Sequence, residues 1–310
     1  MQREKAQSRV AVYYELSKPK IWYLLVFTAF GAAVAASGIY GIEISIATWA
    51  LMLFSVAAGS ASANVLTNYH DRDIDAIMKR TQKRPLPSGR VTPAGARNFG
   101  LFLAGASMVM AACIALTTTP VQGAWAAAFI AFGLFNNVLV YSYMLKRRSR
   151  SNIVLGGLCG GMPPMIGWVA VTTADLWTMG LVMGGLVFIW TPMHIWALTL
   201  HFRDDYNKVN VPMLTAVHSE GTSARVIAVS TVAMALFSLA PLLITLEDGA
   251  AAVGPVYLAT AAASGALIIA LSAWVVYKPT EKAAWVLFKF SSPYLAVLFI
   301  ALMVDAGLRA

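Results

Sequence analysis

Nine apolar stretches, each long enough to cross a bilayer and each set off by a polar connection, leave this chain little choice of fold. They run approximately over residues 21–40, 46–66, 99–116, 123–144, 153–171, 176–200, 226–246, 253–277 and 284–308. At about 1.5 Å of rise per residue, roughly 20 residues cover the ~30 Å hydrocarbon layer. Lipid offers no hydrogen bonds, so the backbone must satisfy its own polar groups, and a helix does so within each span. The expected class is an all-α polytopic membrane protein with about nine transmembrane helices. With 59% hydrophobic and 12% charged residues, a soluble domain is excluded. The net charge of +9 therefore points to membrane topology and not to nucleic acid.

The basic residues test the span count. If nine spans are right, alternate connections should carry the Lys and Arg. The N-terminus, residues 67–98, 146–152, 201–225 and 278–289 hold 22 of the 23, and only Arg309 lies on the other side. The opposite connections carry just Glu43, Asp175, Glu247 and Asp248. This places the N-terminus in the cytoplasm and the C-terminus outside. Arg3, Lys5 and Arg9 before an apolar run ending near Ala36 have the outline of a secretory signal, but the polar leader is long and eight spans follow. Cys113 and Cys159 sit inside apolar runs without metal-ligand or disulfide spacing.

Five of the 14 acids form two clusters, Asp71, Asp73 and Asp75 after the second span and Asp204 and Asp205 after the sixth. Both lie at the same membrane face, at the ends of helices running in the same direction. Two parallel halves, about 21–144 and 153–277, plus a ninth helix within a single domain (1–310), are the expected organisation. A helix continuing past residue 66 puts Thr67, Asp71 and Asp75 on one face, with Asn64 and Asn68 beside them and Asp73 turned away. Stacked like charges repel by about a few tenths of a kcal/mol per pair. Hard oxygen ligands in this pattern suit Mg²⁺, which commonly bridges to substrate phosphates; a solvated helix end accounts for the first cluster equally well. Basic runs at that face, KRTQKRPLPSGR from Lys79 and LKRRSRSN from Leu145, supply donors for phosphate oxygens; they are also what topology alone requires. No Asp, Glu, Lys or Arg interrupts the middle of a span, which argues against a cation-coupled transporter.

The segments SKPKIWYLL (17–25), NYHDRDIDAIMKRTQKRPLPSGRV (68–91), YSYMLKRRSRSNIVLGGLCGGMPPMIGWVAV (141–171), HIWALTLHFRDDY (194–206) and FKFSSPYLAVLFIALMVD (288–305) resemble the protohaem IX farnesyltransferases, or haem O synthases. These belong to the intramembrane aromatic prenyltransferase superfamily. The resemblance spans nearly the whole chain. Its aspartate motif is shared by all members and marks prenyl transfer alone; the block after Leu145 and the segment around His194 point to the haem branch. It implies a nine-helix bundle around a central cavity, Mg²⁺-dependent transfer of farnesyl from farnesyl diphosphate to a vinyl group of haem B, addition of water, and haem O as product. The implied bilayer is the cytoplasmic (inner) membrane, and haem A synthase or oxidase assembly factors are the implied partners. A prenyltransferase for a quinone precursor or another aromatic acceptor shares the clamp and is the alternative.

Residue by residue, the resemblance makes Asp71, Asp75 and Asp205 the catalytic and metal-binding acids, with Asn68 beside them and Thr67, Asn64 and Asp204 as further candidate ligands. Thr67 stands where many members carry Asn, which leaves the polar ligand open between Thr67 and Asn68. Asp205, before Tyr206, ranks above Asp204. Arg84, Lys146 and Arg147 are the expected diphosphate ligands. His194 is a candidate haem contact, against a histidine hydrogen-bonded within the bundle. In the fifth span, Gly156, Gly157, Gly160 and Gly161 permit close helix approach, and Pro163–Pro164 are expected to interrupt the helix. Asn136 and Asn137 should face protein or cavity.

Overall fold

The computed structural model describes residues 8–246 and 249–309. Arg3, Lys5, Glu247 and Asp248 of the topology argument lie outside them. A short helix, α1 (Arg9–Leu16), precedes the first span. The spans are α2 (Pro19–Tyr40), α3 (Ile46–His70), then after a short α4 (Arg72–Ile77), α5 (Pro93–Leu116), α6 (Pro120–Leu145), α7 (Asn152–Val169) and α8 (Leu176–His201). Two short helices follow, α9 (Arg203–Lys208) and α10 (Leu214–Val217), before α11 (Glu220–Leu243), α12 (Pro255–Tyr277) and α13 (Glu281–Gly307). Nine helices among the described residues are thus long and apolar enough to span a bilayer, as expected.

Several spans begin earlier than hydropathy places them, and capping explains it. Thr92 accepts from the Gly95 amide with Pro93 in the first turn, so α5 starts six residues before the apolar run at Phe99 and carries Arg97 inside it. Thr119 before Pro120, Ser219 and Thr280 do the same for α6, α11 and α13. Such caps satisfy orphan N–H groups and contribute about 1 kcal/mol each.

The core runs through α2, α3, α7, α8 and α13, which pack side by side, while α5 flanks α3 and α11 and α12 flank α8 and α13. Small residues set the closest approach: a Cβ on Gly167 of α7 would lie 2.0 Å from the Ala29 carbonyl oxygen of α2. The expected interruption of α7 is present, but it precedes the prolines. Residues Gly157–Gly161 form a 3₁₀ turn, and Pro163 and Pro164 then sit in the first turn of a new α segment, where their missing N–H costs nothing.

Candidate functional site

The α3 helix ends at His70, and Asp71 adopts a non-helical conformation before α4 resumes. The Asp71 amide still donates to the Thr67 carbonyl at 2.9 Å and the Asp75 amide to the Asp71 carbonyl at 2.8 Å, so four-residue hydrogen bonding runs on through the break. Thr67, Asp71 and Asp75 therefore line one cavity of about 300 Å³, and Asp73 points outward, 61% exposed. Asn64 lines the same cavity. Asn68 is buried elsewhere, donating to the Leu16 carbonyl and facing Arg84.

Cations meet both carboxylates. Arg84 Nη1 lies 2.7 Å from Asp75 Oδ2, and Lys146 Nζ bonds Asp71 Oδ2. Arg147 grips the exposed Asp73 through two bonds of 2.6 and 2.7 Å and lies 3.8 Å from Asp71, outside the cavity lining. Burial opposes ionisation of Asp71, yet the Lys146 ammonium and the His70 hydrogen bond outweigh it and hold its carboxyl well below the usual range. Burial alone would lower Lys146, but Tyr141 and Asp71 raise it above its ordinary value. The Arg147 bonds bring Asp73 down to about 2.

Lys18, in the segment SKPK, is assigned no role in the site by the sequence. It is the N-cap of α2, at φ 54°, a left-handed conformation that costs a non-glycine residue on the order of 1 kcal/mol. That turn sends its side chain into the charged cavity. Burial, then the Arg84 charge, lower its pKa well below the ordinary lysine value. Tyr141 and Tyr206, to which the sequence assigns no role, line the same space, as does Arg80 of the basic run from Lys79. The signal for Tyr141 lies in an irregularity no 3.6-residue period reveals: residues Phe135–Leu145 wind as a π-helix, closed by the Lys146 amide on the Tyr141 carbonyl at 2.8 Å. Widened turns of this kind concentrate at functional sites. Here the widening puts Asn137, Tyr141 and Lys146 on one wall.

The second acid pair sits apart from the first. Both Asp205 oxygens accept backbone amides, from Lys79 at 3.2 Å and Arg80 at 3.1 Å, which ties α9 to the segment carrying Arg84. Asp205 and the exposed Asp204 line a separate depression with Lys79, His201 and Lys208. Among the described residues, no three His, Cys, Asp or Glu side chains lie close enough to form one metal site.

His194 faces α13 and not the charged cavity. Its Nδ1 is 2.6 Å from Ser291 Oγ, and its ring is stacked between Trp190 (4.1 Å) and Phe288 (4.4 Å). Of the two asparagines in α6, Asn136 bonds the Leu155 carbonyl and the Cys159 amide of α7, while Asn137 lines the cavity.

Below the charged mouth the space narrows into a second, apolar chamber of about 110 Å³. Ile21, Leu25, Asn64, Asn137, Cys159 and Gly160 line both, so the two adjoin. A phosphate-sized anionic group fits the mouth and a hydrocarbon tail fits the chamber. The profile of the UbiA prenyltransferase family matches residues 24–301. The chain belongs to that family. Curated relatives named protoheme IX farnesyltransferase include one from Thermoplasma volcanium, 39% identical over 96% of this chain and 98% of its own, and one from Desulforudis audaxviator, 42% identical over 96% and 89%. Among solved structures, a digeranylgeranylglyceryl phosphate synthase study gives TM-score 0.73 at 19% identity, covering 96% of this chain and 99% of the other. A UbiA homolog from Archaeoglobus fulgidus bound to GPP and Mg²⁺ gives 0.57 at 14%, covering 94% and 99%. At these identities the structures share the fold with this UbiA-family chain, and the fold alone.

Proposed function

We propose that this chain transfers farnesyl from farnesyl diphosphate to a vinyl group of haem B, with addition of water, giving haem O. The observation that carries prenyl transfer is a cavity with carboxylates and cations at its mouth adjoining a chamber with hydrocarbon walls below. The haem acceptor is supported by the relatives at 39% and 42% identity, which carry that name over 96% of this chain.

An allylic diphosphate ionises when its leaving group is stabilised. Arg84, Lys146 and Lys18 supply charge-assisted donors from three sides of the mouth. Asp71 and Asp75, with Asn64 and Thr67 beside them, present the hard oxygen atoms Mg²⁺ prefers, so these residues fit the ion and would hold it. When bound, Mg²⁺ neutralises charge on the diphosphate as it leaves. Each carboxylate is paired with a cation, so Arg84 and Lys146 would turn to phosphate if the acids had another positive partner. The apolar chamber keeps water from the allylic cation until the acceptor reaches it. We place Asp205 in the same machinery through the segment it ties down, and Arg147 as an outer support of the Asp71 end.

The charged mouth is read as cytoplasmic, in the inner membrane, with Asp71 and Asp75 of the first helical half lining it and Asp205 of the second half holding the Lys79–Arg80 segment beside it. Haem-consuming oxidase assembly proteins would take the product. The test is purified protein with farnesyl diphosphate, haem B and Mg²⁺, followed by product mass. Prenylated, hydrated haem is expected, and its loss in Asp71→Asn and Asp75→Asn with folding retained. A prenylated phenol with haem untouched would move the acceptor to another aromatic class.

A further inference from the structure

Helix α3 forms one wall of the space from its mouth to its closed end, and its register measures the depth. Thr67 lies at the mouth, Asn64 where mouth and chamber join, Gly59 and Ser60 farther in, and Val56 at the end. From Thr67 to Val56 is 11 residues, roughly 16 Å at 1.5 Å each. An extended isoprene unit has four backbone bonds and advances about 5 Å, close to one helical turn. Three units match the wall between Thr67 and Val56, and a fourth has no turn left to lie along.

The far end is solid. Val56 is 1% exposed, and Met52, one turn deeper, is fully buried. Across from them Phe129 of α6 lines the chamber and is backed by Trp125, stacked at 5.6 Å, whose outer side meets Trp177. Ile166 of α7 closes the third side at 1% exposure. One turn nearer the mouth, Gly133 leaves the bore open: a Cβ there meets Met162 Cγ at 3.5 Å, an ordinary contact, so a larger side chain is accommodated at the expense of the chamber.

We propose that Val56 and Phe129 are the floor of a length-selecting chamber that admits three isoprene units and rejects a fourth. The proposal rests on the reading that a prenyl diphosphate binds with its head at Asp71 and Asp75. Even one methylene in a closed apolar pocket changes discrimination by about 10-fold or more, so a fourth isoprene unit should cost at least that.

The test is competitive binding of geranyl, farnesyl and geranylgeranyl diphosphates to the full-length protein in detergent, with inorganic diphosphate as the head-only reference, alongside product formation with haem B. Wild type should favour farnesyl over geranylgeranyl about 10-fold or more. Phe129→Ala should narrow that ratio about 10-fold, and Val56→Ala should narrow it by less. Gly133→Leu should move the preference to geranyl. Equal use of C15 and C20 diphosphates by wild type would mean the tail leaves through the wall, and the floor would be wrong. An unchanged ratio in folded Phe129→Ala has the same meaning; if that variant does not fold, the ratio in Val56→Ala decides. Failure of the haem reading looks different: no prenylated haem with any diphosphate, while the binding order among the three persists.

Discussion

Replacing Lys146 with Gln tests the ion pair at the centre of the site. Asp71 and Lys146 side chains are 3% and 12% exposed, so the change removes one charge from a buried pair. Breaking such a pair costs about 3–5 kcal/mol, because the remaining charge stays desolvated. His70 at 3.3 Å and Arg147 at 3.8 Å still face Asp71, and the Gln amide can donate one neutral bond. The expected loss is therefore nearer 2–3 kcal/mol, a fall in Tm of roughly 5 °C for a chain of this size. The pH dependence has a definite sign. In the wild type the Asp71 carboxyl is depressed, so its stabilisation is present above the unfolded value near 4 and is lost as pH falls through the folded value. In Lys146→Gln burial is left with weaker opposition, the carboxyl rises, and the deficit relative to wild type shrinks as pH falls through that raised value toward the wild-type one. The double variant Asp71→Asn/Lys146→Gln should recover at least half of the loss. Melting curves in detergent across pH 4 to 8 measure all four corners of the cycle, and a coupling below about 0.5 kcal/mol would refute the buried-pair argument.

Asp205→Asn should reduce turnover far more than Asp204→Asn, because Asp205 holds the Lys79 and Arg80 amides while Asp204 is exposed; equal losses in single-turnover assays would undo the ranking. His194→Ala removes a ring clamped between Trp190 and Phe288 and the bond to Ser291, so Tm should drop by several degrees. A Soret shift of bound haem B without loss of Tm would instead make it an iron ligand. Lys18 is held down by burial and Arg84, and an anion reverses that. Inorganic diphosphate should bind with proton uptake, its affinity level below the lowered pKa of Lys18 and falling as pH rises through it; calorimetry in two buffers of different ionisation heat checks this, and Lys18→Met should abolish the uptake.

The spans and their number were legible because hydropathy acts locally: any 20-residue apolar run has the same answer in lipid wherever its neighbours lie. Their starts were misjudged by up to six residues at α5, where a Thr-Pro cap carries the helix through Arg97 into polar sequence. The face shared by Thr67, Asp71 and Asp75 was also readable from a period, since all three belong to nearly continuous helix. Asn64 joins them on the cavity by the same spacing, while Asn68, one residue past Thr67, is rotated into the contact with Leu16.

Pairing across the bundle was not legible. That Lys146 meets Asp71 while its neighbour Arg147 meets Asp73 depends on the π-helical end of α6, which advances each residue through a smaller angle than the α-helical period assumes. Lys18 enters the mouth only because one residue turns left-handed before α2. His194 faces Ser291 because α13 packs on that side of α8, a contact 97 residues away in sequence. The amino-acid order by itself determined nine helices, the face where charge gathers and the acids that share a helix side, because each follows from local hydropathy or from the repeat of a single helix. Which cation neutralises which acid, how deep the apolar chamber runs and where it closes were decided only by tertiary packing, because each joins side chains from helices whose relative rotation no local period encodes.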